Sequence, residues 1–364
     1  NDANGTNAGH VRIFGTVASA PSNTISFDAG AGVGAPDPQT CVAGETITLS
    51  SVVPTRIGYT FTGWDTGTTD SFGSQIIFQP SQEISCGNGD TTLTAMWEIF
   101  TWPQVGADID GEAYGDYSGH SVAMSADGSR VVIGAPYNDS VNGEMSGHVR
   151  VYDLVGSSWV QVGSDIDGEA LYNFSGWSVA MSADGSRIAV GAAGNDGNGR
   201  DSGHVRIFDF DGSDWVQVGA IIEGEAAGDQ FGWSVAMSSD GSRVAIGAHK
   251  NNGVTNGDSG HVRVFDFNGT NWVQVGADID GEAFRDQFGH SVAMSSDGSR
   301  IVVGADQNDG VNGVNSGHVR AFEFNGTNWV KVGADIDGEA ADDFSGVSVA
   351  MSADGSRIAV GAKY

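Results

Sequence analysis

A five-residue segment, Ser-Val-Ala-Met-Ser, recurs along the chain at a nearly constant spacing. Its copies begin at Ser121, Ser178, Ser234, Ser291 and Ser348, which are 57, 56, 57 and 57 residues apart. A tryptophan and the histidine of a Gly-His-Val-Arg run keep the same spacing, at Trp102, Trp159, Trp215, Trp272 and Trp329 and at His148, His204, His261, His318 and His10. Such a period means that each repeat is one small unit that buries its apolar surface against its neighbours. The chain therefore has to fold as an array of five similar units.

The residues of one unit show the alternation of β-strands, and no segment carries a helical stripe. In the second unit we predict four strands, over residues 178–182, 187–191, 204–210 and 215–218. The first two are separated by an Asp-Gly turn at 183–186, which favours a tight hairpin. Four antiparallel strands in each unit of about 57 residues predict an all-β fold made of propeller blades.

The same units carry a family resemblance. Phe231-Gly232 stands upstream of the Ser234 strand, and Gly134-Ala135-Pro136 follows a second strand. The pattern resembles the FG-GAP repeat, the blade of the integrin α-chain propeller and of many extracellular proteins. It extends from about residue 100 to 364 and over the first ~20 residues. Gly-Ala-Pro occurs whole only once, and the Phe is Tyr117 in the first copy.

The two ends of the sequence read as neighbouring parts of one repeat. The spacing from Gly361 across the ends to His10 equals the internal spacing from Gly191 to His204. We therefore predict a five-bladed β-propeller closed by a shared blade. Residues 348–364 would supply its two inner strands, and 9–14 and 102–105 its outer ones. The alternative is that the next copy in a filament completes the open blade.

A segment near the start does not follow the repeat. The predicted organisation is an outer strand of the shared blade over 1–22, an inserted domain over 23–98 and propeller repeats over 99–364. The insert contains Gly-Tyr-Thr-Phe-Thr-Gly-Trp ending at Trp64 and Leu-Thr-Ala-Met-Trp ending at Trp97. These motifs resemble the internalin B-repeat (Listeria-Bacteroides repeat), a β-grasp-like module. The resemblance implies a spacer, stalk or adhesion unit.

Both cysteines, Cys41 and Cys86, lie in this insert. A small domain gains much from a covalent link, so we predict a disulfide and an extracellular, oxidising location. The alternative is a pair of buried free thiols.

The net charge of the chain limits the kinds of partner that it is expected to bind. The chain has 46 acidic and 16 basic residues, a net charge of −30. Such a surface repels phosphate backbones, so we expect no nucleic-acid binding. The acidity suits solubility, salt tolerance or divalent-cation binding. No apolar stretch is long enough for a membrane span, and no secretory segment is recognisable at the start.

The glycosylation sequon Asn-x-Ser/Thr occurs five times, at Asn4, Asn138, Asn173, Asn268 and Asn325. The last two share one outer hairpin turn in successive units, where a glycan would project from the rim in a eukaryotic host. The alternative is that Asn-Gly is simply a favourable turn.

Two repeated loops are candidates for calcium. The first, Asp-Ile-Asp-Gly-Glu, resembles half a calcium loop, but its third copy begins Ile221-Ile-Glu223 and lacks one carboxylate, so we interpret it as a structural turn. The second, between the second and third strands, offers these candidate ligands: Asp139, Asp196, Asn198, Asp201 and Asp309. Integrin-type FG-GAP blades bind calcium through an Asp-x-Asp-x-Asp-Gly loop, which is not reproduced here. A weak calcium site and a simple turn cap both remain open.

The repeated histidines favour a structural role, because a residue present in every blade does not form a single catalytic site. We find no catalytic constellation and expect no enzyme.

The leading hypothesis is an extracellular structural or cell-surface protein, a self-associating subunit of an appendage or filament with an adhesin-like module. The alternative is a monomeric propeller that binds a glycan or protein ligand. A specialised hydrolase is a third interpretation.

Overall fold

The computed structural model describes residues 22–253 and 257–363. The chain divides into two compact units between Gln104 and Val105. Every regular element among the described residues is a β-strand, so the predicted all-β class is confirmed. No membrane-crossing helix is found in this part of the chain.

The first unit is a small β-domain. Its strands are β1 (Ser22–Asp28), β2 (Gln39–Val42), β3 (Thr46–Thr48), β4 (Tyr59–Thr69), β5 (Gln75–Phe78), β6 (Glu83–Ser85) and β7 (Thr91–Ile99). Five of them form a sheet in the order β2-β1-β7-β4-β5, with β1 parallel to β7, and β3 pairs with β6. The core is centred on Trp64, which is fully buried with the rings of Phe27 and Phe61 edge-on at 5.0 Å. The predicted disulfide between Cys41 and Cys86 is confirmed, and it lies within this core.

The second unit repeats one antiparallel sheet four times. The strands of the first two sheets are β8 (Ser121–Met124), β9 (Arg130–Ala135), β10 (His148–Val155), β11 (Ser158–Gln161) and β12 (Ile166–Asp167), then β13 (Ser175–Met181), β14 (Arg187–Ala192), β15 (His204–Phe210), β16 (Trp215–Gln217) and β17 (Ile222–Glu223). Those of the next two are β18 (Ser234–Met237), β19 (Arg243–Ala248), β20 (His261–Phe267), β21 (Trp272–Gln274) and β22 (Ile279–Asp280), then β23 (Ser291–Met294), β24 (Arg300–Ala305), β25 (His318–Phe324) and β26 (Trp329–Asp337). In all four sheets the four strands pair in chain order from the innermost outward. In the first three a short extra strand also pairs with the start of the third strand, and in the fourth sheet the long β26 includes this segment. The four-stranded blades predicted from the repeat are confirmed.

Each sheet packs face to face on the next, and we call this contact a junction. At the junction between the second and third sheets, Val205 and Ile207 join Val244 and Ile246 in one buried cluster, with Val235 and Met237 packed against it. The innermost strands β8, β13, β18, β23 and β27 (Ser348–Met351) also contact one another in succession. The face that a sheet turns to the preceding one is its leading face, and the opposite face is its trailing face.

Three hydrogen bonds recur at every junction, each donated by one sheet to the next. Ser178 Oγ donates to Gly232 O at 2.7 Å, and Arg187 Nη1 donates to Gly241 O at 2.9 Å. The third joins backbone turns, as from Ala183 N to Ser239 O at 2.8 Å. The equivalents of these bonds are present at all four junctions. Neighbouring sheets are therefore held in one fixed geometry.

The fifth sheet contains only the two inner strands among the described residues, β27 (Ser348–Met351) and β28 (Ile358–Gly361). Residues 1–21, where one outer strand was predicted, lie outside the described residues, so the shared blade stays a prediction. The other predicted outer strand, 102–105, is not assigned as a strand, and because its predicted partner 9–14 lies outside the described residues it also stays a prediction. Its Trp102 is 89% exposed, whereas the equivalent Trp215 is buried.

Candidate functional site

A buried imidazole faces two carboxylates at one end of the first sheet. His148 Nδ1 lies 3.9 Å from Glu112 Oε2 and 4.0 Å from Asp165 Oδ2. The imidazole is 2% exposed, while both carboxylates reach solvent. The same arrangement is formed by Glu225, His261 and Asp278 and by Glu282, His318 and Asp335. In each of these three clusters the facing N and O atoms lie within 4.8 Å of one another.

The blade itself brings these three side chains together. His148 is the first residue of the third strand, and its pairing with Asp167 of β12 brings the loop that contains Asp165 alongside. Glu112 comes from the loop that enters the sheet, where Arg150 Nη2 donates to the carbonyl of Asp110 at 2.8 Å. The cluster therefore joins the entry and exit loops of one blade.

Each carboxylate is held through one oxygen and presents the other. Arg150 Nη1 lies 3.5 Å from Glu112 Oε1, and Gln161 Nε2 donates to Asp165 Oδ1 at 2.6 Å. The free oxygens, Oε2 and Oδ2, are the ones that face His148. The separation of about 4 Å is too long for a hydrogen bond. The Nδ1 atoms of His148, His261 and His318 thus have no hydrogen-bond partner among the described residues, and the Nε2 atoms of His261 and His318 are buried without one.

The second sheet has the same cluster without its third member. His204 Nδ1 lies 4.0 Å from Glu169 Oε2, but Ile221 stands where the other copies have an aspartate. Both ring nitrogens of His204 are buried without a hydrogen-bond partner. This blade is a natural control for the other three.

Burial keeps these imidazoles neutral. It lowers the pKa of His148 and His318, that of His204 to about 3 and that of His261 to about 4. A neutral imidazole can accept a hydrogen bond or bind a metal through Nδ1, whereas a protonated one can only donate.

The side chains of the predicted calcium loops form turn caps in the structure. Asp196 Oδ1 accepts the backbone N–H of Asp201 at 2.8 Å, and Asn198 Nδ2 donates to Gly224 O at 2.7 Å. Asp201 is paired with Arg200. Asp139 and Asp309 accept backbone N–H groups in the same way. Calcium needs six to eight converging oxygens. These contacts cap the turns, and calcium binding by the loops stays a prediction.

A row of rings forms a second candidate site, where the innermost strands begin. The ring of His120 lies 4.7 Å from that of Trp177, which lies 4.5 Å from Trp233, and His290 follows at 5.7 Å. The row therefore crosses four successive sheets. Its rings are partly exposed, so they offer a stacking surface.

One end of this row breaks the repeat symmetry. His249 is buried 5.7 Å from the His290 ring, and His290 Nε2 lies 4.0 Å from Asp306 Oδ2. Burial lowers the pKa of His249 and raises that of Asp306. His249, His290 and Asp306 therefore form a group that does not recur in every blade, and it was not predicted from the sequence. Its signal was the replacement of Pro136 and Ala193 by His249 and Asp306 in later repeats.

The sequons differ in accessibility. The side chains of Asn138 and Asn173 are buried, and Asn138 Nδ2 donates to Asp116 at 3.1 Å. A glycan on either nitrogen does not fit the folded chain, which corrects the prediction for these two. Asn268 and Asn325 are exposed in their turns, and Asn4 lies outside the described residues.

The repeated four-stranded sheets and their junctions define an all-β repeat propeller. The chain belongs to the FG-GAP repeat family, whose sequence model matches residues 108–152, 164–208, 215–265 and 277–322. Residues 24–96 match the Listeria-Bacteroides repeat domain. Both resemblances seen in the sequence are confirmed. No curated protein matched the sequence.

Two solved structures are distantly similar. One is a candidate 6-phosphogluconolactonase from Bacteroides uniformis, with 11% identity, 74% of this chain and 63% of that chain covered, and a TM-score of 0.42. The other is hydrazine synthase from Kuenenia stuttgartiensis, with 14% identity, coverage of 93% and 83%, and a TM-score of 0.41. The chain thus spans less than two thirds of the length of the first.

Proposed function

We propose that the protein is an extracellular structural protein of the cell surface, whose propeller repeats join end to end in a filament or appendage. The FG-GAP repeats favour a non-enzymatic propeller, and the disulfide favours an oxidising location. The Listeria-Bacteroides repeat, over residues 24–96, serves as an adhesin-like module inserted in the outer hairpin of the shared blade. The support for end-to-end joining comes from the two outer sheets of the array.

The leading face of the first sheet is exposed along its innermost strand, while Val131, Ile133 and Tyr152 on the same face are buried. Val122 and Met124 are 62% and 54% exposed. Their equivalents in the third sheet, Val235 and Met237, pack into the core of the preceding junction. Within the described residues, no sheet covers Val122 and Met124. These two exposed apolar side chains of the innermost strand are the observation that carries the proposal.

The last sheet offers the complementary surface. Ala359 on its trailing face is exposed, whereas the equivalent Ala245 and Val302 are fully buried at junctions. Every earlier sheet donates three hydrogen bonds to the next sheet. In the last sheet the equivalent donors are Ser348 Oγ, Ala353 N and Arg357 Nη1. They have no acceptor among the described residues.

The matching acceptors lie on the first sheet. By repeat equivalence they are the carbonyls of Gly119, Ala126 and Gly128, and no described donor bonds to them. A second copy placed one junction further along satisfies all three bonds and covers Val122 and Met124. Such a head-to-tail contact uses different surfaces on the two partners, so it propagates into a filament unless the rotation closes a ring.

Substitution of the open face tests the proposal. We expect Val122→Asp to abolish association without unfolding the chain, because a carboxylate at a buried junction is strongly unfavourable but is tolerated where the residue is exposed. The matched control is Val311→Asp, since Val311 is 86% exposed away from both faces. Light scattering and electron microscopy of the wild type and both variants measure the association. A monomeric wild type, or equal association of the two variants, contradicts the proposal.

The ring row supports the second candidate, a propeller that binds a glycan or protein ligand. Partly exposed aromatic rings stack on the apolar faces of sugars, and the adjoining His290 and Asp306 supply polar groups. We expect Trp233→Ala to remove binding on a glycan array while Trp329→Ala, in the outer strand, leaves it intact. Binding that is unaffected by Trp233→Ala contradicts this candidate.

Glycosylation is proposed for Asn268 and Asn325 only. Both amides lie in exposed hairpin turns. In a eukaryotic host, treatment with an N-glycosidase should lower the mass of the wild type but not of the Asn268→Gln/Asn325→Gln double variant. An unchanged wild-type mass contradicts the proposal.

A further inference from the structure

We propose that the three carboxylate–imidazole clusters are binding sites for a divalent first-row transition metal, with zinc as the fitting ion. One site is formed by Glu112, His148 and Asp165; the others are formed by Glu225, His261 and Asp278 and by Glu282, His318 and Asp335. This inference is independent of how the chains assemble.

The first argument is the state of the imidazole. His148, His261 and His318 are 1–2% exposed and have no hydrogen-bond partner among the described residues. A buried polar group without a partner is unfavourable, and native structures avoid it. In the first and second clusters Nδ1 points at the carboxylate oxygens, at 3.9 to 4.0 Å. An ion between them gives Nδ1 the partner it lacks, whereas the buried Nε2 atoms of His261 and His318 remain without one.

The second argument is the size of the gap. Zinc lies about 2.0–2.2 Å from imidazole nitrogen and carboxylate oxygen. The ligand atoms of a tetrahedral zinc lie about 3.4 Å apart, so side chains about 4 Å apart would close on the ion by a few tenths of an ångström. Direct His–carboxylate hydrogen bonds would instead need a separation of about 3 Å.

The third argument is that the carboxylates are oriented. Arg150 and Gln161 hold the outer oxygens of Glu112 and Asp165, and each leaves its other oxygen facing His148. Gln274 holds Asp278 in the same way, at 2.6 Å. Outer partners of this kind fix metal ligands in place.

The donor set selects the class of metal. Calcium and magnesium take oxygen ligands, whereas one imidazole with two carboxylates suits zinc and its neighbours. Three protein ligands leave a position for water. The carboxylates reach solvent, and the net charge of −30 raises the local cation concentration.

The second blade supplies an internal control. It has Glu169 and His204 in place, and Gln217 stands where Gln161 holds the aspartate of the first blade. Only Ile221 prevents a fourth site. The substitution Ile221→Asp should therefore create one.

The test measures zinc bound per chain. Protein stripped with a chelator is loaded with zinc, freed of excess by gel filtration and analysed for metal; cobalt absorption at visible wavelengths reports the coordination. We expect Asp165→Asn, Asp278→Asn and Asp335→Asn each to remove one zinc, and Ile221→Asp to add one. The charge-matched control Asp196→Asn should change nothing. Because only differences between variants are compared, residues outside the described part do not affect the result.

Two results overturn the proposal. One is a wild type that retains no zinc. The other is a zinc content that is the same in the wild type, the three Asp→Asn variants and Ile221→Asp, with circular dichroism showing that all are folded. The gain in Ile221→Asp cannot arise from loss of structure, so it keeps the test decisive if a removal variant unfolds.

Discussion

A glycine in the second strand of each sheet gives the sharpest prediction about assembly. A Cβ added to Gly247 would lie closer than 3.0 Å to the backbone carbonyl of Gly289 in the next sheet. At Gly361, the equivalent residue of the last sheet, the three atoms nearest to an added Cβ all belong to Ser348, whose hydroxyl can rotate away. The same substitution therefore acts on a formed junction at Gly247 and on an open face at Gly361.

The magnitudes follow from overpacking. Forcing a methyl group into a packed site costs about 1–3 kcal/mol. We expect Gly247→Ala to lower the stability by that amount and Tm by roughly 3–10 °C. Gly361→Ala should leave the stability of the single chain within about 0.5 kcal/mol of the wild type, as at other exposed sites. If a second copy docks on this face, the same overpacking weakens association by roughly 5–150-fold.

Two assays separate the effects. Thermal unfolding at low protein concentration measures the single chain, and sedimentation over a range of concentrations measures association. The prediction is a destabilised Gly247→Ala and a stable Gly361→Ala that associates poorly. A Gly361→Ala variant that associates as well as the wild type would refute the reasoning.

Two further predictions concern stability. The disulfide joins cysteines with a sequence separation of 45, so its removal in Cys41→Ser/Cys86→Ser should lower the unfolding free energy of the first unit by about 4 kcal/mol. Urea unfolding measures this change. A loss below about 1 kcal/mol would show that the disulfide contributes little to stability. Burial lowers the pKa of His204 from 6.5 to about 3. Between pH 6.5 and about pH 3 the imidazole is therefore protonated in the unfolded chain but not in the folded one. The unfolding free energy consequently falls as the pH falls through this range. Between pH 7 and pH 5 His204 should lower the unfolding free energy by about 2 kcal/mol, and this part of the pH dependence should be absent in His204→Gln. Equal losses of unfolding free energy in urea titrations of the wild type and His204→Gln would contradict this.

The strands were predictable from sequence because the repeat exposes their alternation. The third strand of the second unit was predicted at 204–210 and found at His204–Phe210. The two-residue strand Ile222–Glu223 was not predicted, because its pairing with the third strand depends on the chain folding back over the sheet. Local pattern determines strands, whereas such pairings depend on tertiary contact.

The carboxylate–imidazole clusters were missed for the same reason. Glu112, His148 and Asp165 lie in three separate segments, and only the register of the third strand against the following loop brings them together. The repetition of His148 in each blade suggested a structural role, and its burial agrees with that. The replacement of the aspartate by Ile221 was interpreted as a sign of a turn, yet among the described blades it marks the cluster that lacks a carboxylate.

The most direct test of end-to-end joining uses the ladder of backbone turns. At each junction one turn donates to the next, as Ala126 N does to Ala183 O at 2.8 Å. Residues joined in this way are close enough for a disulfide. The variant Ala126→Cys/Ala353→Cys places cysteines at the two open ends, and Ala183→Cys/Ser239→Cys serves as the internal control that links within one chain.

Oxidised samples are separated on a denaturing gel without reductant. The proposal predicts that Ala126→Cys/Ala353→Cys forms a ladder of covalent oligomers that collapses to one band on reduction. A cross-linked single chain, or no cross-link where the internal control forms one, would contradict it.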